Sequence, residues 1–117
     1  MRDEDRLLAR RNLDREMRYY RLAGTAKRPP RELLRKVRQV LGLRVAEVAR
    51  ELGVNRSVIF RTEEREARGT ISLRAMSGLA KAMGCRVVYG LIPLDGTTLE
   101  EMAERRKWSK LLEVGKE

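Results

Sequence analysis

Three residues restrict this chain more than any others: Ala49, Gly53 four positions later, and Ile59 six after that. They lie in the stretch VAEVARELGVNRSVIFRTEER, Val45 to Arg65. Two helices crossing steeply need a small residue where their backbones meet. They also need a turn residue that tolerates positive φ and an aliphatic lock on the second helix. Ala49, Gly53 and Ile59 meet these needs in order, and Val48, Leu52, Val54 and Val58 supply the surrounding apolar positions. The spacing predicts a helix-turn-helix whose second helix is capped by Asn55. At about 100° per residue, Val58, Ile59 and Thr62 of that helix point one way. Arg56, Ser57, Phe60, Arg61 and Glu64 point the other. Any corner in a helical bundle joins two helices, but the polar, cationic Asn-Arg-Ser entry suits a helix end that meets a groove.

The flanking sequence extends the helical pattern. Residues 3–23 read as one helix with Leu13, Met17 and Tyr20 on its apolar stripe, stopped by Gly24. GTAKRPP then reads as a basic linker, and Pro30 suits the first turn of a helix over 30–41. That helix carries Leu33, Leu34, Val37, Val40 and Leu41 and ends at Gly42. Ser72 is placed to cap a helix with Leu73, Met76, Leu79, Ala80 and Met83 inward and Gly84 at its end. CRVVYGLIP changes character, and Val87, Val88, Tyr89, Leu91 and Ile92 predict a strand over 85–92. A lone strand invites another chain, so Val87, Val88, Tyr89 and Leu91 are expected to pair two subunits around a two-fold axis. Thr98 and Glu101 form a Ser/Thr-x-x-Glu capping box for a final helix carrying Leu99, Met102, Ala103, Trp108, Leu111 and Leu112. Three regions follow: 1–29, an N-terminal helix and basic linker; 30–84, the helix-turn-helix domain; and 85–117, the strand and C-terminal helix expected to serve dimerisation or a partner.

Charge points to the partner. The net charge is +10 over 117 residues. Residues 1–29 hold nine Lys and Arg against five acids, residues 30–93 thirteen against six, and residues 94–117 five against six. A localised basic excess suits a polyanion, although a solvated arginine-rich surface has the same composition. Other classes fit poorly. The chain has no His, the commonest general base and metal ligand. It has no phosphate-binding glycine loop and no metal-ligand cluster, so neither catalytic residues, a metal nor a cofactor is expected. Cys85 is the only cysteine, so no intrachain disulfide can form; its apolar neighbours predict a buried structural thiol in a reducing cytoplasm. No apolar run reaches the roughly 18 residues of a membrane span. The mixed charges of MRDEDRLLARR are unlike a signal peptide, and a cytoplasmic location is expected. RNA binding is disfavoured by the scarcity of aromatics to stack on bases.

Residues 31–83, from RELLRKVRQVLGLRVAEVARELGVNRSVIFRTEERE to ISLRAMSGLAKAMG, resemble the lambda-repressor-like, Xre-type helix-turn-helix family. More narrowly, KRPP, the helix-turn-helix and CRVVYGLIP in this order resemble the mobile mystery protein A family over about residues 24–108. The resemblance implies a mainly α chain: a five-helix lambda-repressor-like DNA-binding domain with an N-terminal helix, one C-terminal β-strand and a final helix. It also implies a double-stranded DNA partner and a homodimer acting as an autorepressor in a toxin–antitoxin-like operon. Arg56, Ser57 and Arg61 match base-reading positions, and Asn55 matches the recognition-helix cap. Val45 stands where Gln is common, Arg44 replaces the usual Thr or Ser cap, and Thr62 occupies a position that is commonly apolar.

Arg can bond guanine O6 and N7 together, which favours Arg56 and Arg61 as base readers. Arg44, Asn55, Arg65, Arg68, Lys27 and Arg28 are the phosphate-contact candidates, and Lys27 with Arg28 also suits a minor-groove arm. Phe60 suits a thymine methyl or a partner protein. Glu64 suits a cytosine amine or a salt bridge. The resemblance brings an alternative: an antitoxin-like role in which the chain neutralises a Fic-domain partner. Fic inhibition commonly uses a Ser/Thr-x-x-x-Glu-Gly/Asn helix. TEEREA, TTLEEM and SKLLEV match only its first five positions.

Overall fold

The computed structural model describes residues 1–24 and 30–115. The chain is mainly helical, with seven helices among the described residues: α1 (Asp3–Glu16), α2 (Arg18–Ala23), α3 (Leu33–Val40), α4 (Val45–Leu52), α5 (Arg56–Arg68), α6 (Leu73–Ala82) and α7 (Leu99–Gly115). They fall into two compact units, Pro29–Val88, and Met1–Arg28 with Tyr89–Glu117.

The central unit holds the apolar core. Leu34 of α3, Val48 and Ala49 of α4, Ile59 of α5, and Leu79, Ala80 and Met83 of α6 and its end are buried together. Val37, Leu43, Val45, Ile71, Met76 and Val87 pack around them. The helix-turn-helix forms as the spacing predicts. Gly53 ends α4 with φ 68°, a left-handed conformation that a Cβ disfavours. The Val54 N–H returns to the Ala49 carbonyl at 2.9 Å, and only three residues separate α4 from α5. Ala49 sits in the core, and Ile59 is entirely removed from solvent. Ser72 caps α6, its hydroxyl accepting the Ala75 N–H at 3.0 Å.

Several helices depart from expectation. The unit contains four helices, α3 to α6, where five were expected. Helix α3 begins at Leu33 rather than Pro30, because Glu32 takes a left-handed turn (φ 54°) just before it. Its cap comes from elsewhere. The Glu66 carboxylate of α5 accepts the Leu33 and Leu34 N–H groups, each at 2.8 Å. Of the α3 stripe, Leu34 is buried, whereas Val40 and Leu41 are exposed. The strand over 85–92 does not form; no strand occurs among the described residues. The Cys85 N–H is taken by the Ala80 carbonyl at 2.8 Å, which closes the end of α6. Val87 is drawn onto the core, and no second extended segment among the described residues offers a ladder. Val88, Tyr89 and Leu91 are exposed. Cys85 is also exposed rather than buried.

A buried ion pair joins α3 to α5. Arg38 Nε and Nη2 donate to the two Glu63 carboxylate oxygens at 2.9 and 3.0 Å, and Nη1 reaches the Leu43 carbonyl at 3.3 Å. Their side chains are only 13% and 8% exposed. The hydrogen bond to Glu63 raises the Arg38 guanidinium above its ordinary value; burial opposes this and the charge attraction adds to it.

The second unit is fastened differently. The expected helix over 3–23 breaks at Met17 into α1 and α2. Leu13, expected on the apolar stripe, is exposed, and Asp14 is buried in its stead. The Asp14 carboxylate accepts the Leu99 and Glu100 N–H groups of α7 at 2.7 and 3.2 Å, satisfying donors that a helix start leaves open. Thr98 accepts the Glu101 N–H at 3.1 Å, the expected half of the capping box. Arg10 Nε meets Glu100 at 2.9 Å. At Gly90 the backbone runs against the Tyr20 ring so closely that a Cβ would lie 2.7 Å from its Cγ. Trp108, Leu111 and Leu112 of α7 are exposed rather than inward.

Removing one partner of the buried pair leaves the other charged and unsatisfied. Glu63→Gln and Arg38→Met are each expected to lose about 3 kcal/mol in urea unfolding. The double variant Arg38→Met/Glu63→Gln is expected to lose less than their sum. Strictly additive losses would contradict the coupling.

Candidate nucleic-acid interface

Helix α5 is fixed by one face and open on the other. Its inner side carries Ile59, Glu63 and Glu66, at i, i+4 and i+7. Ile59 enters the core, Glu63 grips Arg38, and Glu66 caps α3. Thr62, where an apolar residue was anticipated, is half-buried and returns its hydroxyl to the Val58 carbonyl at 2.7 Å. Acids on this helix read as solvated in the sequence, yet two of them attach it. The available signal was Glu63 falling four residues after the lock Ile59, on the same helix face.

Arg56, Ser57, Phe60, Arg61 and Glu64 all lie on the exposed side, as the helical phase requires. Arg56 makes no ion pair among the described residues. Arg61 holds only a long contact, 3.4 Å, from its Nε to the Ser57 carbonyl. Phe60 is 57% exposed between them in sequence. Glu64 pairs with Arg68 at 2.7 Å, the salt-bridged role anticipated for it.

The entrance to α5 is open. Asn55 has the extended backbone of an N-cap (φ −73°, ψ 154°), but its side chain makes no capping hydrogen bond. It is exposed beside helix N–H groups that carry partial positive charge. At the start of α4, Arg44 occupies the N-cap position without acting as one, because a guanidinium has no acceptor. Glu47 serves instead, accepting the Arg44 N–H at 3.2 Å and Nε at 3.1 Å. The hydrogen bond from the Arg44 side chain holds the Glu47 carboxyl below its usual range. Arg44 remains 85% exposed on its side chain. Arg65 and Arg68 are exposed at the far end of α5. Arg56, Ser57, Arg61, Arg65 and Arg68 are thus exposed on α5, Asn55 at its entrance and Arg44 just before α4. Lys27 and Arg28 lie outside the described residues.

The surface offers cations, a hydroxyl, an amide and one ring, all solvent-facing on a rigidly attached helix. Thr62 and Glu66 of TEEREA are both engaged within the unit. Among the described residues no group of His, Cys, Asp and Glu converges to hold a metal ion. None of the helices is long and apolar enough to cross a membrane. Compared with known proteins, the chain matches no family model, and neither a curated protein nor a solved structure matches it.

Proposed function

We propose that this chain is a sequence-specific DNA-binding regulator of the lambda-repressor-like, Xre type, with α5 as its recognition helix. The observation that carries the reading is the two-sided nature of α5. Ile59, Glu63 and Glu66 bind it inward, while Arg56, Ser57, Phe60 and Arg61 are presented to solvent. A major groove admits a single α-helix and displays guanine O6 and N7 to a guanidinium. In this reading Arg56 and Arg61 bond base edges and Ser57 bonds a base or the sugar-phosphate. Phe60 covers a thymine methyl. Arg44, Asn55, Arg65 and Arg68 contact phosphates, which supply affinity without sequence information. The net charge of +10 agrees with a polyanionic partner.

As a regulator the chain would act as a homodimer on a palindrome and repress its own operon. Two recognition helices then lie one turn of DNA apart, about 34 Å. The dimer is assigned to the exposed apolar side chains of Tyr89 and Leu91, with no strand ladder required.

Selection of bound sequences from random duplexes is expected to enrich a palindrome. Arg56→Ala and Arg61→Ala should each cost about 1–3 kcal/mol on the selected site and relax specificity at one base pair per half-site. Equal binding of all sequences by the unaltered chain would overturn the reading. Sedimentation is expected to show a dimer that Tyr89→Glu/Leu91→Glu converts to monomer. An unchanged dimer in that variant would remove these residues from the interface.

A further inference from the structure

Counted by segment, residues 94–117 are almost neutral and contribute little to the basic character of the chain. Folding changes that distribution. Within the unit formed by the two ends of the chain, α1 and α7 enclose a groove of about 560 Å³. Arg6 and Arg10 line it from α1, and Arg106, Lys107 and Lys110 line it from α7. The acids on its walls are Asp3 and Glu104. Arg6 is paired with Asp3 at 3.3 Å, and Arg10 with Glu100 at 2.9 Å. Arg106, Lys107 and Lys110 have no ion pair among the described residues. Along α7 these three occupy i, i+1 and i+4, within about 100° of arc.

We infer that this groove is a second, sequence-blind nucleic-acid contact, in which Arg106, Lys107 and Lys110 bind the phosphodiester backbone. The inference does not depend on α5. A helix dipole favours cations in the last turn, but α7 has no base in its last turn, so the dipole does not account for these three, nor for Arg6 and Arg10 on α1. Complementing the dipole needs no groove at all. An acidic protein segment shares the charge of a phosphodiester. A stable protein interface, however, needs an apolar centre, and among the described residues the only apolar one lining this groove is Ala103. A backbone of phosphates asks only for cations and other hydrogen-bond donors.

The test uses the full chain and a random-sequence duplex, with binding followed by fluorescence anisotropy at several salt concentrations. The triple variant Arg106→Ser/Lys107→Ser/Lys110→Ser alters exposed side chains, and circular dichroism checks that its helix content is kept. Each lost phosphate contact flattens the slope of log K against log salt by about 0.9. The expected result is a slope flatter by about 2–3 and duplex binding at least tenfold weaker at low salt. The charge-preserving variant Arg106→Lys/Lys107→Arg/Lys110→Arg should bind like the unaltered chain. The triple variant should keep whatever sequence preference the unaltered chain has, whereas Arg56→Ala/Arg61→Ala should lose it. Failure of the α5 reading is thereby separated from failure of this one. An unchanged slope in the triple variant would overturn the inference. So would loss of binding to polyglutamate with duplex binding intact, which would make an acidic protein the occupant.

Discussion

The paired hydrogen bonds between Arg38 and Glu63 are the constraint on which the rest of the central unit depends. Apolar packing alone would hold α5 against the core but would tolerate small rolls about its axis. A buried, two-pronged ion pair does not. Rotating α5 by one residue, about 100°, would expose Ile59, separate Glu63 from Arg38, and withdraw Glu66 from the start of α3. Each loss is unfavourable, and a buried guanidinium left without its carboxylate is the worst of them. Fixing the inner face also fixes the outer one, so the direction in which Arg56 and Arg61 point follows from contacts that neither of them makes.

The two units solve their stability problem by different means. In the central unit, seven buried apolar side chains form the core, and polar contacts set its alignment. Among the described residues the terminal unit buries only Asp14 and Pro93, and carboxylates do much of the joining. Asp14 receives the first N–H groups of α7, as Glu66 does for α3 in the other unit. For α3 the cap comes from a distant helix rather than from the residue before it, and for α7 the distant carboxylate adds to the cap that Thr98 supplies. An acid so placed satisfies open donors and meets the positive end of the helix dipole. Trp108, Leu111 and Leu112 remain solvent-facing in the terminal unit.

Local rules carried the helix-turn-helix and failed where distant partners decide. Ala49, Gly53 and Ile59 answer a steric problem confined to eleven residues, so their spacing was readable and their burial and backbone conformation agree with it. Ser72 at the start of α6 was readable for the same reason. The exposed face of α5 followed from helical phase alone. By contrast, Asp14 and Glu63 look like surface acids in a chain rich in alternating charge, and only tertiary contacts reveal them as buried fasteners. The 85–92 segment has β-forming residues, but a strand needs a neighbouring ladder, and Val87 gains more by packing on the core. Its apolar character was legible, and its conformation was not. The expected stripe holds at Met17 and Tyr20, which stand half-buried against Gly90, and fails at Leu13: α1 turns its carboxylate, not its leucine, toward α7.

The central claim is that α5 meets a duplex by the face opposite Ile59 and Glu63. Amide chemical-shift mapping of the labelled chain, titrated with a duplex recovered by selection, tests it most directly. The account predicts the largest changes at residues 55–61, continuing along α5 through Arg65 and Arg68, with the core positions Leu34, Leu79 and Ala80 nearly still. Amides of residues 55–61 that stay in place while another surface of the chain responds would contradict it.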